Sequence, residues 1–114
     1  ENPDHTHQLF ESGWIADFPD PFNFLDVLFH SNRPENKFRL QDPHVDGLLA
    51  RARTAVSEQN RLQAYAQVEN RVISDAVVIP ITFPVNHALL QPWVHGYHGE
   101  PCVREWFTEI SLVE

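Results

Sequence analysis

The chain has 114 residues, 42% of them apolar, with sixteen acidic against eight basic side chains and a formal net charge of −8. That composition supports a packed core in one domain or a piece of one. It argues against nucleic acid or an anionic membrane as the partner, because either would meet an acidic surface. A single cysteine, Cys102, excludes an internal disulfide and any CxxC metal or redox motif, and no apolar run is long enough to span a bilayer.

The chain opens on Glu1-Asn2-Pro3-Asp4 without a methionine and shows no signal-peptide pattern. The expectation is a processed, trimmed or fragmentary chain whose missing sequence holds part of the function. Residues 1–7 are polar and expected to fray. From His7 to Ala16, apolar and aromatic residues (Leu9, Phe10, Trp14, Ile15) predict a strand ending near Ala16. Pro19 and Pro21 make residues 17–21 a stiff loop. Asp20 before Pro21 is a helix cap followed by proline at the first helical position, and Phe22, Leu25, Leu28 and Phe29 carry a short helix over 21–30. Residues 31–41 are polar and read as a surface loop.

Asp42-Pro43 repeats the cap-plus-proline signal. Val45, Leu48, Leu49, Ala52 and Val56 then form one apolar stripe. Ser57 caps a second helix with a stripe of Leu62, Tyr65, Ala66, Val72 and Ile73. Residues 43–56 and 58–74 are thus predicted as a helical hairpin with Leu48, Leu49, Leu62 and Tyr65 in its core. Arg51, Arg53, Glu58, Arg61, Glu69 and Arg71 lie on its outer faces, most simply as solvated charge. The β-branched run Val77 to Phe83 is broken by Pro80 and Pro84, which favours an edge or crossing strand, and Ala88 to Gln91 extends it. Residues 92–104 read as loop, and Trp106 to Val113 alternates like a last strand.

Several chemistries compete for these residues. Seven histidines invite a metal site, with His5-Thr6-His7 beside Asp4 and with His95 and His98 near the other end. The pattern lacks the converging ligands that zinc requires, so solvated imidazoles are the simpler reading, and no cofactor is called for. Asp17 with Asp20, or Glu11 with Asp17, could pair as the acid and base of a hydrolase. Nucleophilic catalysis lacks a serine elbow, and Cys102 has no feature that would lower its pKa. Asp17 itself remains open between a turn residue, a cap, a catalytic carboxylate and the counter-ion of a cation. Trp14, at a strand end beside that carboxylate, suits either core packing or a pocket wall.

The segment GWIADFPDPFNFLDVLF (residues 13–29) resembles the W-x-A-D-Y/F-x-D/E-P-x-x-F-L stretch of the extracellular solute-binding proteins of peptide, opine and nickel ABC transporters. Three further motifs follow in the same order. They are R-x-x-x-Y-x-x-x-E (Arg61, Tyr65, Glu69), a V-I-P strand (Val78, Ile79, Pro80) and V-N-x-x-L-x-x-P-W-V-x-G-Y/F from Val85 to Tyr97. The resemblance covers residues from about 9 to 98.

It implies the C-terminal portion of a two-lobe α/β fold of the periplasmic-binding-protein type. Residues 1–74, with a ligand-cleft loop at 13–22 and the hairpin at 43–74, would belong to the second lobe. Residues 75–114 would cross the hinge and return to the first lobe. It further implies a binding protein, not an enzyme, periplasmic or held outside the cell by a lipid anchor. Such a protein would pass a short peptide to membrane permease subunits, and it would need the remainder of its own chain N-terminal to Glu1. Nickel chelates, opines or sugars are the other solutes of the family. Asp17 would pair with the peptide's α-ammonium group, Trp14 would face the cleft, and backbone groups of Trp14, Ile15 and Ala16 would bond the peptide main chain.

Overall fold

The structure, a computed structural model, describes residues 9–85, 87–99 and 109–113. Among these, the order is α1 (Pro21–Phe29), α2 (Pro43–Thr54), α3 (Glu58–Ser74), β1 (Val94–His95) and β2 (Ser111–Leu112). His5, His7, Asn86, Cys102 and the start of the last predicted strand lie outside the described residues.

Each helix begins where its cap dictates. The Asp20 carboxylate accepts from the Phe22 amide at 2.8 Å, and Pro21 supplies a φ already suited to a helix without an N–H that would go unbonded. Asp42 accepts from the His44 and Val45 amides at 2.8 and 3.4 Å, again followed by proline. Ser57 Oγ accepts from the Asn60 amide at 3.2 Å and starts α3.

The core is a three-helix cluster. Helix α2 buries Val45, Leu48, Leu49 and Ala52 against Ala64, Tyr65, Val68 and Val72 of α3, and Phe29 of α1 closes the end. The α2 stripe follows the predicted spacing, except that the helix stops at Thr54 and Val56 is fully exposed in the link. The α3 face is rotated from the expectation. Ala64, Tyr65, Val68 and Val72 are inside, whereas Leu62 and Ile73 are each 44% exposed and Ala66 faces out. Leu62 is therefore not a core residue. The small Ala64 and Ala52 sit in the interface, where short side chains let the two helices approach.

Helix α3 ends in a tight cap. Ala76 adopts φ 54°, its amide donates to Ile73 O at 3.0 Å, and the Val77 amide donates to Val72 O at 2.9 Å. This is the usual glycine-type helix terminator, built here with alanine.

Residues 31–41 are more than a polar surface loop. Phe38 stacks on Phe29 at 5.1 Å between centroids and on Phe10 at 5.7 Å, and Leu40 packs on the core beside it. Asn36 holds the loop closed, donating to Leu40 O at 2.8 Å and accepting from Leu40 N at 3.2 Å.

Two predicted strands are absent among the described residues. Residues 9–16 form no ladder, and after Val77 and Val78, which touch the core, the run through Val85 has no strand partner. Ile79, Ile81, Phe83 and Val85 are 65–90% exposed. A β-branched run reads as a strand in sequence, but its backbone groups need a neighbouring strand to form one. The ladder that does form is antiparallel, Val94 opposite Leu112 and His95 opposite Ser111. Gly96, at φ 77°, permits it: a Cβ there would lie 2.0 Å from the Glu109 carbonyl oxygen.

Candidate functional site

Helix α1 fixes the loop before it. Loop and helix meet at Pro21, so the loop predicted over 13–22 ends at Asp20. Pro19 sits at the centre of a three-residue turn in which the Asp20 amide donates to Phe18 O at 2.8 Å, a conformation that proline's fixed φ favours. Ahead of the turn, Ala16 is buried and Trp14 half-buried, while Ile15 and Asp17 face outward.

A side chain not singled out in the sequence organises this segment. Asn23, in the first turn of α1, is only 3% exposed. Its Oδ1 accepts from Trp14 Nε1 at 3.0 Å and from the Asp17 amide at 3.1 Å, and its Nδ2 donates to Asp17 Oδ2 at 3.3 Å. The sequence-predicted residues Trp14 and Asp17 are thereby brought together on one amide, with Ala16 packed beneath and Ile15 projecting away. The available signal was an asparagine set among Phe22, Phe24 and Leu25, where an amide is costly unless its hydrogen bonds are made.

The three aspartates of this region have different fates. Asp20 caps α1 and also takes Nη2 of Arg61, from 41 residues downstream, on its carboxylate. The Arg61 hydrogen bond, with a smaller share from the Phe22 amide, holds the Asp20 carboxyl below its ordinary 3.8, against the upward pull of partial burial. Arg61 in turn lies over the Tyr65 ring, 5.2 Å from its centroid. Burial raises the Tyr65 phenol above its ordinary value.

Asp26 is fully buried in α1. Arg33 donates to its Oδ1 from Nε at 3.0 Å and Nη2 at 2.6 Å, and Arg53 Nε lies 3.3 Å from Oδ2 as an ion contact off hydrogen-bond alignment. Arg71 bridges Asp42 at 3.4 Å and Asp75 at 2.9 Å. The charges of Arg53, Arg61 and Arg71 are therefore ties between elements, where the sequence suggested solvated faces.

Asp17 differs from both neighbours. It is exposed, and among the described residues it is in no ion pair; its carboxylate is held by a neutral amide alone. The loop thus carries one oriented anion with its charge uncancelled. The same contacts count against Asp20 as the acid of an Asp17–Asp20 pair: it is ion-paired and held ionised, so it is unsuited to donate a proton near neutral pH. Among the described residues no group of three potential ligands gathers for a metal, and His98 lies 4.0 Å from Glu109.

No protein-family model matches the chain. Similar proteins of described function exist. The periplasmic oligopeptide-binding protein OppA of Escherichia coli K12 is 29% identical over 103 residues, 90% of this chain and 19% of that protein. The probable di/tripeptide-binding protein 5 of Pseudomonas aeruginosa UCBPP-PA14 is 31% identical over 109 residues, 93% of this chain and 21% of that protein. Heme-binding protein A of Haemophilus influenzae Rd is 32% identical over 102 residues, 88% of this chain and 19% of that protein. The chain spans about a fifth of the length of these relatives.

Proposed function

We propose that the chain forms a C-terminal part of a peptide-binding protein of an ABC importer, like the oligopeptide- and di/tripeptide-binding relatives it resembles, with Asp17 as counter-ion to a peptide's α-ammonium group. The observation that carries the proposal is the oriented, exposed Asp17 carboxylate beside Trp14. An ammonium taken out of water into a closing cleft needs an anion in a set direction, and a charge-assisted bond to a preplaced carboxylate is among the stronger ones. Trp14 lines the same wall, and the backbone of Trp14, Ile15 and Ala16, in no ladder among the described residues, suits main-chain bonding to an extended peptide.

In this reading residues 1–74 belong to the second lobe of a two-lobe protein. Residues 75–114 cross to the first lobe, where Ile79, Ile81, Phe83 and Val85 find the strand neighbours and apolar cover they lack here. Lobe closure traps the peptide for delivery to permease subunits. The oligopeptide-binding relative of Escherichia coli is named as periplasmic, and the periplasm is the proposed location; no helix among the described residues is long and apolar enough to cross a membrane.

The test is titration calorimetry of the full protein with trialanine and N-acetyl-trialanine. Asp17→Asn keeps the shape and removes the charge. It is expected to weaken trialanine binding by about 3–5 kcal/mol, as for other buried pairs deprived of one partner, and to leave the acetylated peptide nearly unaffected. Equal binding of both peptides by the wild type overturns the proposal. The likeness to a heme-binding protein keeps a non-peptide solute as a second reading. Mass spectrometry of the small molecules released on denaturation separates the two, since a peptide supports the first reading and any other solute the second.

A further inference from the structure

We propose that Asn23 is a positioning residue for ligand binding, one that aims the Asp17 carboxylate without cancelling its charge and so makes the site selective for a free amine. The inference rests on the proposed role of Asp17 and goes beyond it to a residue outside the ligand-facing loop.

The chemistry of the amide fixes its orientation. Two N–H groups, Trp14 Nε1 and the Asp17 amide, converge on one terminal atom of Asn23, and a carboxylate oxygen faces the other. An oxygen with two lone pairs fits the first position and an N–H donor the second. The reverse would set donors against donors and an oxygen against an anion. The side chain is therefore fully committed at Oδ1, and it grips Asp17 at both its backbone and its carboxylate.

The anchor behind this grip is rigid. Asn23 is buried in the first turn of α1, two residues after Pro21. The start of that helix is fixed by the Asp20 cap and by Arg61 from α3. An amide tied to a helix start transmits that rigidity to the loop. Asp17 Oδ2 is occupied, and Oδ1 accepts no hydrogen bond among the described residues. One carboxylate oxygen of an exposed residue is thus left open to a partner.

The neutrality of the holder matters as much as its position. A guanidinium in the place of Asn23 would orient Asp17 equally well, as Arg61 does Asp20, but it would offset the charge an incoming ammonium needs. An amide donates a hydrogen bond and leaves the net charge at −1. The ordering cost that a free carboxylate would meet on binding is met in folding instead.

The experiment uses the full protein and titration calorimetry with trialanine and N-acetyl-trialanine. The variants are Asn23→Ala, Asn23→Leu, which keeps more of the buried volume, Asp17→Asn, and the Asp17→Asn/Asn23→Ala double substitution. Thermal melting of each variant reports folding, and the two Asn23 variants keep the result independent of one substitution's tolerance. The expected result is a fall of about tenfold in the preference for the free amine in both Asn23 variants, the size of one lost hydrogen bond to a charged group. Acetyl-peptide affinity should change much less. In the Asp17→Asn background, Asn23→Ala should change the preference no further, because its effect acts through Asp17.

A preference retained in both Asn23 variants overturns the proposal, as does an equal loss for both peptides, which marks Asn23 as a structural residue only. Additive effects of the two substitutions on the preference also overturn it. A wild type that does not discriminate overturns the Asp17 reading itself. That outcome is read before any variant is made, so the two failures are distinct.

Discussion

Asp20 serves two elements at once, and the two roles can be separated by substitution. Its carboxylate caps α1 through the Phe22 amide and binds Arg61 of α3. Asp20→Asn retains a good cap and removes the charge, whereas Asp20→Ala removes both. The pair is neither exposed nor buried, with side chains 28% and 29% accessible. Its worth lies between the few tenths of a kcal/mol of a surface pair and the several of a buried one, about 1–2 kcal/mol. The cap adds about 1 kcal/mol, so Asp20→Ala should cost about 2–3 kcal/mol in all.

Linkage gives the pH dependence its sign. Arg61 holds the folded carboxyl below the ordinary 3.8, so the folded state binds fewer protons than the unfolded one in this range. The stabilisation is complete above the ordinary value and is lost as pH falls through the lowered one. Urea unfolding of the full protein, followed by tryptophan emission, measures this from about pH 7 to about pH 3. The gap between wild type and Asp20→Asn should hold steady down to about pH 4 and then close. It should also narrow in about 1 M salt. A gap unchanged at about pH 3, or an asparagine variant as unstable as the alanine one, would refute the reasoning.

Other outcomes follow from packing and backbone geometry. Leu49, with 0% exposure at the centre of the α2–α3 interface, should cost about 2–5 kcal/mol when cut to alanine. Denaturation measures that loss, while calorimetry should find the free-amine preference unchanged. Ala76→Gly should stabilise the protein by about 0.5–1 kcal/mol in urea midpoint analysis. It relieves the left-handed strain at φ 54°, less the extra freedom glycine gives the unfolded chain.

Local signals were legible in the sequence. Asp20-Pro21, Asp42-Pro43 and Ser57 started the helices where they were expected, because a cap and a proline act within three residues of themselves. The α2 stripe was equally plain, and so was the short loop that turns α3 back on α2. The W-x-A-D segment sets Trp14 and Asp17 three residues apart, and in the fold both side chains bond Asn23.

What the sequence by itself determined, then, is the set of helices and their caps, since helical hydrogen bonds close within four residues. Tertiary structure decided which face of α3 turns inward, leaving Leu62 out and bringing Ala64 and Val68 in. It decided that Arg61 reaches Asp20 across 41 residues and that Arg33 and Arg53 meet the buried Asp26. It also decided that residues 9–16 and the run from Val77 are not strands here. A strand and an ion pair each need a partner set by the path of the whole chain, and residue spacing does not encode where that partner lies. Asn23 belongs to the same class: its sequence shows only an amide in an apolar helix, and packing α1 against the loop turned that amide into the support of Asp17.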